Sequence, residues 1–233
     1  MIVTIDGPAG SGKSTTARRC AAHLGFVYLD TGAMYRAVAL GYLRADADPA
    51  QDDPEAVLAD LAVDVTYEDG DMHVFLDEED VSREIRTAEV GRMASEISSL
   101  PAVRERLVRD QRRIGFEQEE VHGGVILDGR DTGTVVFPEA DLKIFMVADV
   151  AERARRRQEE YAASGKTVPL EQVKREIEER DRRDRTRDIA PLRRADDAVT
   201  LDTTDCSVEE QVAFVVDRVK DGAASGTSGE DGQ

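Results

Sequence analysis

The stretch IVTIDGPAGSGKS, residues 2–14, decides the fold. Residues 1–6 are short, β-branched and followed by glycine, which reads as a buried strand. Gly7, Pro8, Ala9, Gly10, Ser11 and Gly12 form a loop, and a helix is predicted from Lys13 to Leu24. The run from Gly7 to Ser14 fits G-x-x-x-x-G-K-[ST], in the strand–loop–helix setting that the pattern requires. Glycines at those spacings let backbone N–H groups converge on phosphates at the positive end of a helix. Lys13 is then placed to reach the β- and γ-phosphates of a nucleotide, and the Ser14 hydroxyl to hold Mg2+.

Working outward, Gly25 stops the first helix and FVYLD at 26–30 is a second buried strand. Thr31-Gly32 opens a helix to about 44, and an acidic, proline-bearing loop fills 45–54. A short helix near 54–61 precedes VDVTYE (63–68) and MHVFLD (72–77), whose alternation predicts a hairpin. Helices are expected at 87–98 and 101–115. VILD (125–128) and LKIFMV (142–147) are continuous apolar runs, typical of parallel strands covered on both faces. Two charged helices follow at 150–163 and 169–184, then a last strand at 198–202 and a last helix at 207–220. The Gly/Ser-rich residues 221–233 read as a disordered tail. Strand and helix alternate at both ends, with the hairpin and helices between. This is a doubly wound α/β core carrying an insertion.

A chain of 233 residues, 40% hydrophobic, suits one globular domain. No run approaches the roughly 20 apolar residues that span a bilayer, and the N-terminus lacks the features of a signal peptide, so a cytoplasmic location is expected. Cys20 and Cys206 read as reduced thiols, and the three histidines lack metal-ligand spacing. A net charge of −18 argues against nucleic acid as a partner. The arginines are concentrated, at 153–157 and 174–194, and a local basic field on an acidic body suits small polyanions.

Asp128 ends the strand Val125-Ile126-Leu127, where a carboxylate can hold Mg2+ directly or through water. Three clusters could meet a second substrate. Asp30 to Arg36 lies between a strand and a helix, and Gly129-Arg130-Asp131-Thr-Gly133 follows the Asp128 strand. Arg180, Asp184 and Arg187 share a helix face, as do Arg153, Arg156 and Arg157. A solvated, salt-bridged helix face has the same spacing, so spacing leaves both readings open. No carboxylate stands out as a base for an alcohol acceptor, whereas arginines abound. That favours an acceptor that is itself a phosphate, already anionic near neutral pH.

The segments IDGPAGSGKST, LDTGAMYRA, GRDTGTVVFP, ERARRR and ERDRRDRTRDIAPL, in this order, resemble the bacterial cytidylate kinases over about residues 2–217. The resemblance implies a three-layer P-loop core with a parallel sheet (about 1–30, 120–150 and 190–220). It also implies an inserted nucleoside-monophosphate-binding subdomain of helices and a small antiparallel sheet (about 31–119), and a lid at about 153–166. ATP with Mg2+ would lie on the loop from Gly7 to Thr15. The resemblance assigns Arg36, Arg130 and Arg187 to the CMP phosphate and Arg180 and Asp184 to the ribose, with Thr31 at a family Ser/Thr position. Ser95, Arg104 and Asp131 fall to cytosine, whose N4 amino group a carboxylate can accept. Lys13 with Arg153, Arg156 and Arg157 would attend the transferring phosphoryl group. The implied enzyme acts on CMP or dCMP as a monomer, without membrane or nucleic-acid partners.

Overall fold

The computed structural model describes residues 1–227 apart from 69 and 164. Five strands, β1 (Ile2–Asp6), β2 (Val27–Asp30), β6 (Val125–Gly129), β7 (Leu142–Val147) and β8 (Val199–Asp202), form one sheet in the order β2-β6-β1-β7-β8. All its pairings are parallel. The switch in strand order around β1 brings the ends of β1, β2 and β6 together, which is where open α/β sheets bind ligands.

The inner strands are buried on both faces, the edge strand β8 exposes Thr200 and Asp202, and successive residues face opposite layers. Ile2, Leu29, Val125 and Leu127 pack toward α2 (Thr31–Arg44), α4 (Ala88–Ile97) and α5 (Pro101–His122). Val3, Ile5, Ile126, Ile144 and Met146 pack toward α1 (Lys13–Leu24) and α8 (Val208–Thr227). Each fully buried Leu or Ile contributes about 1.5–3 kcal/mol, which outweighs their modest local propensities. A third, small cluster of Ala154, Val173 and Ile177 joins α6 (Val150–Ala163) to α7 (Leu170–Thr186).

Between β2 and β6 lie α2, α3 (Pro54–Ala59), α4, α5 and an antiparallel sheet of β3 (Val63–Glu68), β4 (Asp71–Leu76) and β5 (Glu79–Asp80). The expected hairpin is β3–β4; the two-residue β5 is too short to leave an alternation signal. Helix α5 runs seven residues beyond the expected stop at 115, to the left-handed cap Gly123. Gly115 does not break it, because the bare glycine makes room for Phe137, whose Cζ would lie 2.5 Å from a Cβ there. A correction applies at the C-terminus, where a tail was expected from 221. Helix α8 continues to Thr227, with Gly222 close to Met1 and the good helix formers Ala223 and Ala224 next in sequence. The rest of that expected tail, 228–233, lies outside the described residues.

Candidate active site

The loop between β1 and α1 has the backbone that its glycines predict. Gly10 and Gly12 have φ of 76° and 93°, in the left-handed region. A Cβ on Gly7 would lie 2.2 Å from the Met146 carbonyl oxygen. Gly12 caps α1 without any side-chain hydrogen bond, so the first amides of the helix are left for an anion. Lys13 is buried at the first helical position and donates from Nζ to the Pro8 carbonyl at 2.8 Å. Burial and the neighbouring Arg130 push its pKa down to about 7, against the pull of Asp128.

Ser14 and Asp128 meet, as expected from sequence: Ser14 Oγ donates to Asp128 Oδ2 at 2.8 Å. Tyr28 donates to the other carboxylate oxygen at 2.7 Å. Burial, and next the charge of Asp30, raise the Asp128 pKa. One carboxylate beside one hydroxyl is a hard-oxygen set that fits Mg2+, which takes few protein ligands and fills its shell with phosphate and water. Thr15, the last residue assigned to the ATP loop, is exposed in the next position of α1.

Around this loop the structure gathers guanidinium groups from four segments. Arg36, on α2, donates to Asp30 at 2.9 Å, and Asp30 also caps that helix through the Ala33 amide. Arg130, after β6, donates to Asp184 at 2.8 Å. Burial works against its charge, and Asp184 outweighs that, holding its pKa above the ordinary value. Arg180, on α7, is half-buried, and its buried Nε has no hydrogen-bond partner among the described residues. Burial, then Arg130, lowers its pKa to about 10, with Arg36 and Arg157 adding further repulsion. Such a cluster is electrostatically incomplete and suits a multiply charged anion.

Beside it, Asp131 is buried between two cations. Arg104 pairs with one oxygen, and Arg187 donates to the other at 3.2 Å. Thr31 donates to the Asp128 carbonyl at 2.7 Å. Ser95 lines an open cleft of about 390 Å³ together with Ser98, Asp184 and Arg187. Ser95, Asp184 and Arg187 therefore share this cleft, and the ion pairs tie Arg104, Arg130 and Asp131 to it; an outward-facing salt-bridged helix does not describe Asp184 or Arg187.

Arg153, Arg156 and Arg157, three of the four arginines of α6, separate. Arg153 is buried, pairs with Asp181 at 2.7 Å and donates to the Ala9 carbonyl at 3.0 Å. Arg156 donates to Glu152 and to the carbonyl of Thr203, after β8. Arg157 pairs with Glu160 and lies 4.9 Å over the Tyr161 ring. Arg153 is thus fixed against the glycine loop, and Arg157 is the arginine of this trio that reaches the field of Arg180.

Several functional neighbours escaped the sequence reading: Asp6, Tyr28, Asp30 as a partner of Arg36, and Asp181. Asp6 ends a buried strand just as Asp128 does, but nothing in the sequence names its partner.

The model of the cytidylate kinase family matches residues 3–221. A cytidylate kinase of Salinibacter ruber is 66% identical over 227 residues, covering 97% of this chain and 100% of that protein. The cytidylate kinase of Chloroherpeton thalassium is 48% identical over 225 residues, covering 95% and 94%. A solved structure from Eubacterium ventriosum has a TM-score of 0.51 at 12% identity, covering 95% of this chain and 98% of that one, a likeness of fold alone. With the glycine loop, its serine–aspartate pair and the gathered arginines in place, these matches establish that the chain belongs to the cytidylate kinase family.

Proposed function

We propose that the chain transfers the γ-phosphoryl group of ATP to CMP or dCMP, giving ADP and CDP or dCDP. One observation carries this reading: Lys13 of the glycine loop lies in the electrostatic field of Arg130 and Arg180, so the donor cradle and the acceptor arginines converge. Two groups of phosphate charge can meet there only if both are gripped.

Gly7 to Thr15 hold the ATP phosphates, with Lys13 neutralising the γ-phosphoryl oxygens. Ser14 and Asp128 would hold Mg2+, which would supply charge neutralisation to the ATP phosphates. Arg36, Arg130 and Arg187 orient the acceptor phosphate for in-line attack, and Arg180 and Asp184 lie where the ribose meets that phosphate. Asp131 accepts from the cytosine amino group, with Arg104 and Ser95 placed for its ring nitrogen and O2. Residues 31–119 act as the acceptor-binding subdomain. Residues 153–166 act as a lid that brings Arg157 over the site and excludes water, with Arg153 and Arg156 bracing its base. No helix among the described residues is long and apolar enough to cross a membrane. A cytoplasmic monomer acting on small molecules, without nucleic acid, is the simplest setting.

A coupled assay of ADP release across CMP, dCMP, UMP, AMP and shikimate tests this. The expected result is high turnover with the first two. Preference for any other acceptor overturns it.

A further inference from the structure

Asp6 ends β1, one residue before the glycine loop, and its carboxylate is spent on a different loop. Thr132 donates to Oδ1 through both its amide, at 2.9 Å, and its hydroxyl, at 2.8 Å. The Gly133 amide donates to Oδ2 at 2.7 Å. Those two amides open the π-helical turn Thr132–Val136, a rare conformation that gathers at functional sites. Arg112 holds the other end of the turn, donating to the carbonyls of Val135 and Val136 at 2.7 Å each. The turn is therefore clamped at both ends by side chains outside the acceptor cleft. Arg130 and Asp131 stand just before it.

We propose that Asp6 is a positioning residue, a buried carboxylate that fixes the backbone from which Arg130 and Asp131 meet the acceptor. The strand that leads into the ATP loop would thereby also set the acceptor reader. This rests on the acceptor site assigned above.

The chemistry separates positioning from mere packing. Three donors face two oxygens: the ionised carboxylate accepts from all of them freely, whereas the acid form must keep its proton on Oδ2 and turned away from the Gly133 amide. Among the described residues Asp6 forms no ion pair. The charged groups around it are Asp131 and Lys13, with Lys143 packed near Gly133 but engaged by Asp197 and the Pro138 carbonyl. Burial pushes the Asp6 pKa up to about 6, and the hydrogen bonds only partly offset this. A folded pKa above the unfolded one means stability is greatest below the unfolded value and is lost as pH rises through about 6. Above about pH 6 the ionised carboxylate is therefore less favourable to the fold than the acid form, while its three hydrogen bonds hold the turn in place.

The test compares Asp6→Asn, Thr132→Val and Thr132→Ser by steady-state kinetics and thermal unfolding at pH 8. An amide places its NH2 against one of the donors, so Asp6→Asn loosens the turn. Its KM for CMP is expected to rise by at least about tenfold, with the KM for ATP within about twofold of wild type. Its unfolding temperature is expected to equal or exceed that of wild type. Thr132→Val should shift the CMP KM in the same direction and Thr132→Ser should restore it, which decides the matter even if Asp6→Asn does not fold. Unchanged kinetics in these variants, or a parallel loss for both substrates with a lower unfolding temperature, overturns the proposal. The shift is read with whichever acceptor the wild type uses best. A wild-type preference for another acceptor would therefore refute the CMP assignment without touching this inference.

Discussion

Arg130 and Asp184 form an ion pair at 2.8 Å between the end of β6 and the last turn of α7, with side chains 19% and 10% exposed. Asp184 is the anion that lets Arg130 sit beside Arg180, since each guanidinium raises the cost of the other's charge. Its own pKa is held low by Arg130 and Arg180, against burial, which acts the other way. Removing one partner of such a pair leaves a cation without compensation. Asp184→Ala should therefore raise the KM for CMP by about tenfold or more and cost about 1–3 kcal/mol of stability, discounted for partial exposure. Asp184→Asn, which still accepts a hydrogen bond, should lose less of both. Kinetics and urea unfolding of the two variants check this, and equal behaviour would show that the charge is immaterial.

Lys13 gives a prediction about protons. Its pKa of about 7 in the free protein reflects burial first and Arg130 next. Phosphate oxygens beside Nζ favour the charged form and must raise that value. At pH 8 the free lysine is mostly neutral, so binding of ATP should take up close to one proton. Calorimetric titrations in two buffers of different ionisation enthalpy measure the uptake directly; an identical heat in both would defeat the claim. Lys13→Met should abolish the uptake and lower kcat by about 10²–10³, the usual loss for one donor to a developing charge.

The donor half of this site is legible from sequence because it is local. Eight consecutive residues, Gly7 to Ser14, set the loop, and the Ser14–Asp128 contact follows once both strands are recognised as neighbours. The acceptor half is not local. Arg104, Arg130 and Arg187 come from three elements, and spacing along α7 could not distinguish a site from a solvated face. The order of the motifs settled it, through family resemblance rather than through periodicity. Asp6 and Asp181 stayed hidden for another reason. A carboxylate at a strand end or in a charged helix takes its meaning from its partner, here the amides of Thr132 and Gly133 or the guanidinium of Arg153. That Gly115 continues α5 was equally invisible, because Phe137 is 22 residues away in sequence.

Asp131 should decide between pyrimidine bases. Its carboxylate accepts from the N4 amino group of cytosine but would face a lone pair on O4 of uracil. Asp131→Asn offers an NH2 donor to uracil while weakening the hold of Arg104 and Arg187. The ratio of kcat/KM for CMP to that for UMP should fall by at least about tenfold, in line with about 1–3 kcal/mol for a base contact. Acceptor kinetics check it, and an unchanged ratio would move cytosine reading elsewhere.

The charge of −18 makes an opposite pair of salt effects. On a sphere of about 20 Å radius, that charge repels itself by on the order of 10 kcal/mol near 0.1 M salt and by a few near 1 M, as the screening length shrinks from about 10 Å to about 3 Å. The unfolded chain spreads the same charge more widely and gains less from screening. Exposed pairs such as Arg44 with Glu79 and Arg113 with Glu117 weaken at the same time, but each is worth only about 0–1 kcal/mol. Salt should therefore raise the unfolding temperature by several degrees between about 0.1 and 1 M NaCl. At the acceptor site the sign reverses, because arginines capture phosphate there and screening weakens the attraction, so the KM for CMP should climb over the same range. Thermal unfolding and acceptor kinetics at matched salt concentrations check both slopes. An unfolding temperature that falls with salt would mean that the arginine–carboxylate pairs, rather than the net acidity, govern the stability of this protein.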